Sequence, residues 1–306
     1  MRLPFLERSN ERHLPADYRG DVLLWDIDKT YLDTRFSSWR GLLAIPFEFA
    51  MDKESIPGAI PLIRALRRGA GERPAMVPLF FVSGSPPQLR RVIERKMTLD
   101  GVDFDGITFK DQLGLLRAGR VRQIKAQLGY KLRALLLYRR EIPGGGRWWM
   151  FGDDVEADAE VFATFGAVCG GMASDHLERR MKAGHVPADE RRAIHALVAE
   201  LTIRVDPIER IFIHLSSGAE PARFEDPRIV AVRSYLQAAL VLAHLGRVQP
   251  DAVGAVAREM RGRHIPEASI ASDLEDASAR LAVPANLIEL AAPIDLRRAT
   301  SHLASH

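Results

Sequence analysis

Three short apolar runs punctuate the first half of the chain, and each stops at a polar cluster. Val22–Trp25 (VLLW) meets Asp26, Met76–Val82 (MVPLFFV) meets Ser83-Gly84-Ser85, and Trp148–Phe151 (WWMF) meets Gly152-Asp153-Asp154. Apolar runs that do not alternate with polar residues fit strands covered on both faces. Helical stretches accompany them at Ala59–Arg68, Pro87–Arg95 and Val121–Arg140. Alternating strand and helix predicts an α/β fold built on a doubly wound, Rossmann-like parallel sheet. Such sheets bind ligands beyond the carboxyl ends of their strands, where all three polar clusters fall.

After about residue 174 helix follows helix. Asp226-Pro227 supplies an N-cap and a first-turn proline, and Gly246 a stop; Pro250-Asp251 and Pro284 open further helices. The chain therefore reads as an N-terminal arm (1–20), an α/β domain (21–174) and an all-helical C-terminal region (175–306). Ile229, Val230, Val232, Tyr235, Leu236 and Leu240 fall largely along one face of the helix opened by Asp226. That face predicts packing against the α/β domain.

Composition narrows the classes. With 306 residues, 47% hydrophobic and 27% charged, the chain can bury a sizeable core, which excludes a disordered or fibrous protein. Its 43 basic and 40 acidic side chains leave +3, too balanced to hold DNA or a membrane by bulk charge. Apolar stretches such as Leu236–Leu245 reach about half of the ~20 residues a membrane span needs, so no transmembrane segment is expected. The N-terminus lacks the apolar stretch of a signal peptide, and Cys169 is the single cysteine. Both point to a reducing, cytoplasmic location. Residues 85–140 carry 13 Lys and Arg against 5 Asp and Glu, a balance that attracts anions. Few aromatics accompany them, which argues against nucleic acid. Nothing here sets an oligomeric state.

The polar clusters carry the chemistry. In Asp26-Ile27-Asp28-Lys29-Thr30 two carboxylates can turn toward one ligand. That suits Mg2+ with a phosphate, or an aspartyl nucleophile. A solvated turn, or the metal–nucleotide site of a glycosyltransferase, uses the same pair. Ser83-Gly84-Ser85 offers a hydroxyl and backbone N–H groups for phosphate oxygens; an ordinary turn with a capping serine looks alike. Gly152–Asp158 (GDDVEAD) gathers three aspartates, which repel one another unless a cation sits among them. Carboxylates favoured at a helix N-terminus are the plainer reading. His214, His244 and His264 lack metal-ligand spacing and read as core or surface residues of the helical part.

Taken in order, DxDxT, a serine-ended strand, a lysine and GDxxxxD resemble the haloacid dehalogenase (HAD) superfamily of phosphohydrolases over roughly residues 20–172. VSGSP, Gly129-Tyr130-Lys131 and GDDVEADAEVF look most like the catalytic domain of the actin-patch type of phosphatidate phosphatase. The resemblance implies an Mg2+-dependent phosphatase. Asp26 would be nucleophile and metal ligand. Asp28 would be general acid/base, its backbone carbonyl also meeting the metal. Thr30, Ser83, Gly84 and Ser85 would bind substrate, Lys131 would neutralise the phosphoryl group, and Asp153, Asp154 and Asp158 would ligate or support the metal. Lys110 and Lys125 compete for the lysine role. Lys131 is preferred because its spacing to Asp153 leaves room for one helix and one strand. Lys29 departs from the phosphatidate phosphatase pattern, which has an acidic residue there. Motif spacing allows a short helical flap over Arg35–Lys53 but no full lid, so an open site and a bulky phosphorylated substrate, small molecule or lipid, are expected. The alternative is a non-catalytic HAD-fold binding protein whose helical region engages a partner; the presence of both Asp26 and Asp28 favours the enzyme.

Overall fold

The computed structural model describes residues 2–3, 5–33, 54–120, 126–142 and 144–292. The expected flap over Arg35–Lys53, Lys125 and the first turn of the expected Val121–Arg140 helix lie outside the described residues.

One eight-stranded sheet organises the chain, in the order β1-β2-β5-β4-β3-β6-β7-β8. The strands are β1 (Arg2–Leu3), β2 (Leu6–Asn10), β3 (Asp21–Asp26), β4 (Leu79–Ser83), β5 (Gly106–Lys110), β6 (Arg147–Asp153), β7 (Ile208–His214) and β8 (Ile229–Val232). From β5 to β8 every pairing is parallel; β2 closes on β5 antiparallel, and β1 on β2 likewise.

Helices cover both faces. On one lie α1 (Ala59–Arg68), α2 (Arg90–Leu99), α8 (Tyr235–His244), α9 (Asp251–Gly262) and α10 (Glu267–Ala279); on the other α4 (Leu128–Glu141), α5 (Asp158–Cys169), α6 (Ser174–Ala183) and α7 (Ala188–Ala199). The short α3 (Gln112–Arg117) follows β5, and α11 (Ala285–Ile288) runs into a closing 3-10 turn, Glu289–Ala291. Strand β3 shows why its run has no polar member: Leu23 and Trp25 enter one core, Val22 and Leu24 the other. With side chains alternating across the pleat, a strand between two helical layers is apolar at every position.

Three expectations need correction. Residues 1–20 are not merely an arm, because Leu6–Asn10 pairs with β5 along its whole length. The region 175–306 is not all-helical: β7 and β8 extend the central sheet. The helix expected from Asp226 starts later, since Ile229–Val232 forms β8 and the helix covers Tyr235–His244. Three β-branched residues among Ile229–Val232 favour the strand over the proline-primed helix. His214, expected in a helical part, ends β7.

The C-terminal elements belong to the sheet and to both of its helical layers, in place of the single helix face expected to pack on it. Trp25 stacks on Phe151 at 4.1 Å and Phe151 on Phe212 at 5.0 Å, joining β3, β6 and β7. The Tyr235 hydroxyl donates to the Thr30 carbonyl at 2.6 Å, and the Gly58 N–H donates to Glu259 at 2.6 Å. Among the described residues no helix is long and apolar enough to cross a membrane.

Candidate functional site

The carboxyl ends of β3, β4 and β6 lie side by side, because Asp26 pairs with Val82 and Trp25 with Phe151. Asp26, Ser83 and Asp153 are the last residues of these strands. Directly after β3 the chain folds into a tight turn, with the Tyr31 and Leu32 N–H groups donating to the Ile27 carbonyl at 3.0 and 2.9 Å. Lys29 sits in it at φ 60°, a left-handed conformation that is uncommon for a residue with a side chain. The turn carries Asp28 back over β4, where its carboxylate accepts from Ser83 Oγ at 2.9 Å and Ser85 Oγ at 3.0 Å. Ser85 N–H in turn donates to Ser83 Oγ at 3.0 Å. The serine turn thus holds the Asp28 side chain at the sheet edge. Thr30 is fully buried, and its hydroxyl has no hydrogen-bond partner among the described residues.

After β6 the acidic loop bends sharply. Asp153 Oδ1 accepts from the N–H groups of Val155 and Glu156 at 2.5 and 2.8 Å, while its own N–H donates to Asp158 Oδ2 at 3.1 Å. Short aspartate side chains close such turns on their own backbone. Gly152 permits the approach: a Cβ there would lie 2.5 Å from Asp158 Cβ. The loop delivers Glu156 and Asp158 to Asp26 and Asp153, and one carboxylate oxygen from each of the four lies within 4.8 Å of the others.

Lys131 reaches this group from the first turn of α4. Its ammonium is 2.8 Å from Asp26 Oδ1, donates to Glu156 at 2.6 Å and also pairs with Asp158. The Asp26 contact is an ion pair without hydrogen-bond geometry, so both Asp26 oxygens, and Asp153 Oδ2, have no hydrogen-bond partner among the described residues. Burial pushes the Asp26 carboxyl well above the usual range, opposed by Lys131 and reinforced by Asp158 and Glu156. Burial and then Asp158 push Asp153 up to about 7. Burial also raises Glu156. For Lys131 burial works against the charge, but Asp158, Asp26 and Glu156 outweigh it and hold the ammonium well above the usual lysine range. With the carboxylates ionised, one lysine facing three buried and one partly buried carboxylate leaves surplus negative charge. All-oxygen donors with unshared oxygens aimed together fit a small divalent cation, with Asp26 and Asp153 as its natural ligands.

Asp154, expected to ligate or support the metal, points elsewhere. It accepts from Ser216 Oγ at 3.1 Å, from the Ser217 N–H at 2.9 Å and from the Ser217 hydroxyl. Burial raises its carboxyl less than these bonds lower it, so it stays below the usual range. Its partners follow β7, a strand absent from the sequence reading. The Asp28 side chain likewise stands outside the four-carboxylate group, bound to the serines. Glu156 belongs to the group, yet sequence reasoning passed it over; its place in the same acidic run was the available signal. Lys110 ends β5, donates to the Ala126 carbonyl at 2.5 Å and lies 4.5 Å from the Tyr130 ring centroid; burial lowers its pKa to about 8.

Compared with models of known protein families, with curated proteins and with solved structures, the chain matches none of them.

Proposed function

We propose that the chain is a HAD-type phosphatase that hydrolyses a phosphomonoester through an aspartyl-phosphate on Asp26, with Mg2+ held by Asp26 and Asp153. The observation that carries the proposal is the set of unpartnered Asp26 and Asp153 oxygens beside the Lys131 ammonium at one sheet edge, with Asp28 next to them on the serine turn. Glu156 and Asp158 anchor Lys131 and complete the acidic shell. Mg2+, when bound, offsets the surplus negative charge and polarises the phosphoryl oxygens.

The residues then divide the work. The Asp26 carboxylate attacks phosphorus as the ester P–O bond breaks, and Asp28 passes its proton to the departing alcohol oxygen. The ionised Asp28 next takes a proton from water, whose oxygen attacks the phosphorus. The bond from phosphorus to Asp26 breaks, releasing inorganic phosphate and restoring the carboxylate. Lys131 balances charge on the equatorial oxygens, and the Ser83 and Ser85 hydroxyls, which donate to Asp28, hold the acid/base beside them. Asp26 is placed to attack because burial strips it of water and no hydrogen bond occupies its oxygens.

The test is release of inorganic phosphate from a panel of phosphomonoesters, p-nitrophenyl phosphate and phosphatidate included, with and without Mg2+. Turnover of at least one member that EDTA abolishes is expected. No release from any member, in a protein that binds Mg2+, would leave the non-catalytic binding protein as the better reading.

A further inference from the structure

A second unpartnered donor borders the same site. The Tyr130 hydroxyl is buried without a hydrogen-bond partner among the described residues, next to Lys131 at the start of α4. An unsatisfied buried hydroxyl carries a free-energy cost, so its persistence asks for a partner. Its direction is given by Gly84. A Cβ on Gly84 would lie 3.1 Å from the Tyr130 hydroxyl oxygen, and 3.7 Å from both Gln127 Nε2 and Glu156 Oε1. Gly84 thus brings the backbone of the serine turn close to the tyrosine hydroxyl and to Glu156 of the acidic cluster. The turn is braced from outside, where Gln112 Nε2 donates to the Gly84 carbonyl at 2.5 Å. Lys110, 4.5 Å from the ring centroid, holds the ring in place without engaging the hydroxyl.

We propose that Tyr130 is a substrate-binding residue whose hydroxyl donates a hydrogen bond to a non-bridging oxygen of a phosphoryl group seated over Gly84. This rests on the phosphatase reading and adds a donor to it. The hydroxyl lies beside Gly84 and supplies a donor that the Ser83 and Ser85 hydroxyls, which donate to Asp28, do not. Gly84 is glycine because the phosphoryl oxygen and the tyrosine hydroxyl together need the volume a methyl group would take.

The experiment compares the full chain with its Tyr130→Phe variant in Mg2+, titrating inorganic phosphate by calorimetry and recording Tm and Mg2+ affinity in parallel. Phenylalanine keeps the ring packing and removes an unpaired hydroxyl, so Tm holds or rises and Mg2+ affinity is unchanged. Phosphate binding weakens about 10–100-fold, the scale of a hydrogen bond to a charged group. Gly84→Ala, which places a methyl group against the tyrosine hydroxyl, weakens phosphate as well. Equal phosphate affinity in wild type and Tyr130→Phe would overturn the assignment and leave an ordered water as the hydroxyl's partner. A lower Tm with unchanged phosphate affinity would overturn it in favour of a structural hydroxyl. A wild-type protein that binds Mg2+ but no phosphate would overturn the phosphatase reading and this assignment with it.

Discussion

Asp26→Asn eliminates phosphate release while the protein stays folded. Asparagine matches the shape of aspartate but supplies neither the anionic oxygen that attacks phosphorus nor a strong ligand for a hard cation. Loss of a covalent nucleophile costs on the order of 10⁶-fold in kcat. Stability moves differently. Burial already holds the Asp26 carboxyl well above its usual range, so ionising it opposes folding in the metal-free protein. Lys131 keeps Glu156 and Asp158 as partners when Asp26 is replaced. The metal-free variant should therefore melt at the wild-type temperature or higher, while the rise in Tm on adding Mg2+ shrinks. Phosphate assays and thermal melts with and without Mg2+ check both halves. Wild-type turnover by Asp26→Asn would remove Asp26 from the mechanism.

Deleting residues 175–306 destroys the fold and does not merely alter access to the site. The deletion removes β7 and β8 from the sheet and uncovers the far edge of β6. Phe212 leaves the stack on Phe151, and Tyr235 leaves Trp25 and the Thr30 carbonyl. Truncating one buried aromatic residue costs about 3–5 kcal/mol, against a total stability of roughly 5–15 kcal/mol for a typical domain. The truncated chain should be insoluble, or soluble without a cooperative melting transition, by circular dichroism and calorimetry. A truncated chain with a sharp transition and intact Mg2+ binding would show that residues 1–174 form an independent unit.

The site was more legible in the sequence than the sheet that carries it. Asp26, Ser83 and Asp153 stood out because each ends an unbroken apolar run, and the double helical cover that makes those runs apolar also puts their ends on one edge. Lys131 was separable from Lys110 and Lys125 only by its spacing to Asp153. Asp154 misled because its role depends on Ser216 and Ser217 after β7. Strand β7 reads IERIFIH, with Glu209 and Arg210 only partly buried, and so lacks the continuous apolar signature of β3. Strand β5, GITFK, is buried throughout, but it ends in a lysine where β3, β4 and β6 end in aspartate or serine. Leu6–Asn10 carries four polar residues on an antiparallel pairing near the sheet edge, where no second helical layer requires apolar side chains. Tyr130 was visible only as part of a resemblance; its unpaired hydroxyl becomes evident when Gly84 is placed beside it.

The most direct measurement is to trap the covalent intermediate. Wild-type protein is mixed with Mg2+ and a 32P-labelled phosphomonoester from the panel that it hydrolyses, quenched in acid within the first turnover, and digested. The account predicts one labelled peptide containing Asp26, with label that hydroxylamine releases and that Asp26→Asn never acquires. Turnover of the same substrate with no protein-bound label, or label on a peptide lacking Asp26, would contradict it.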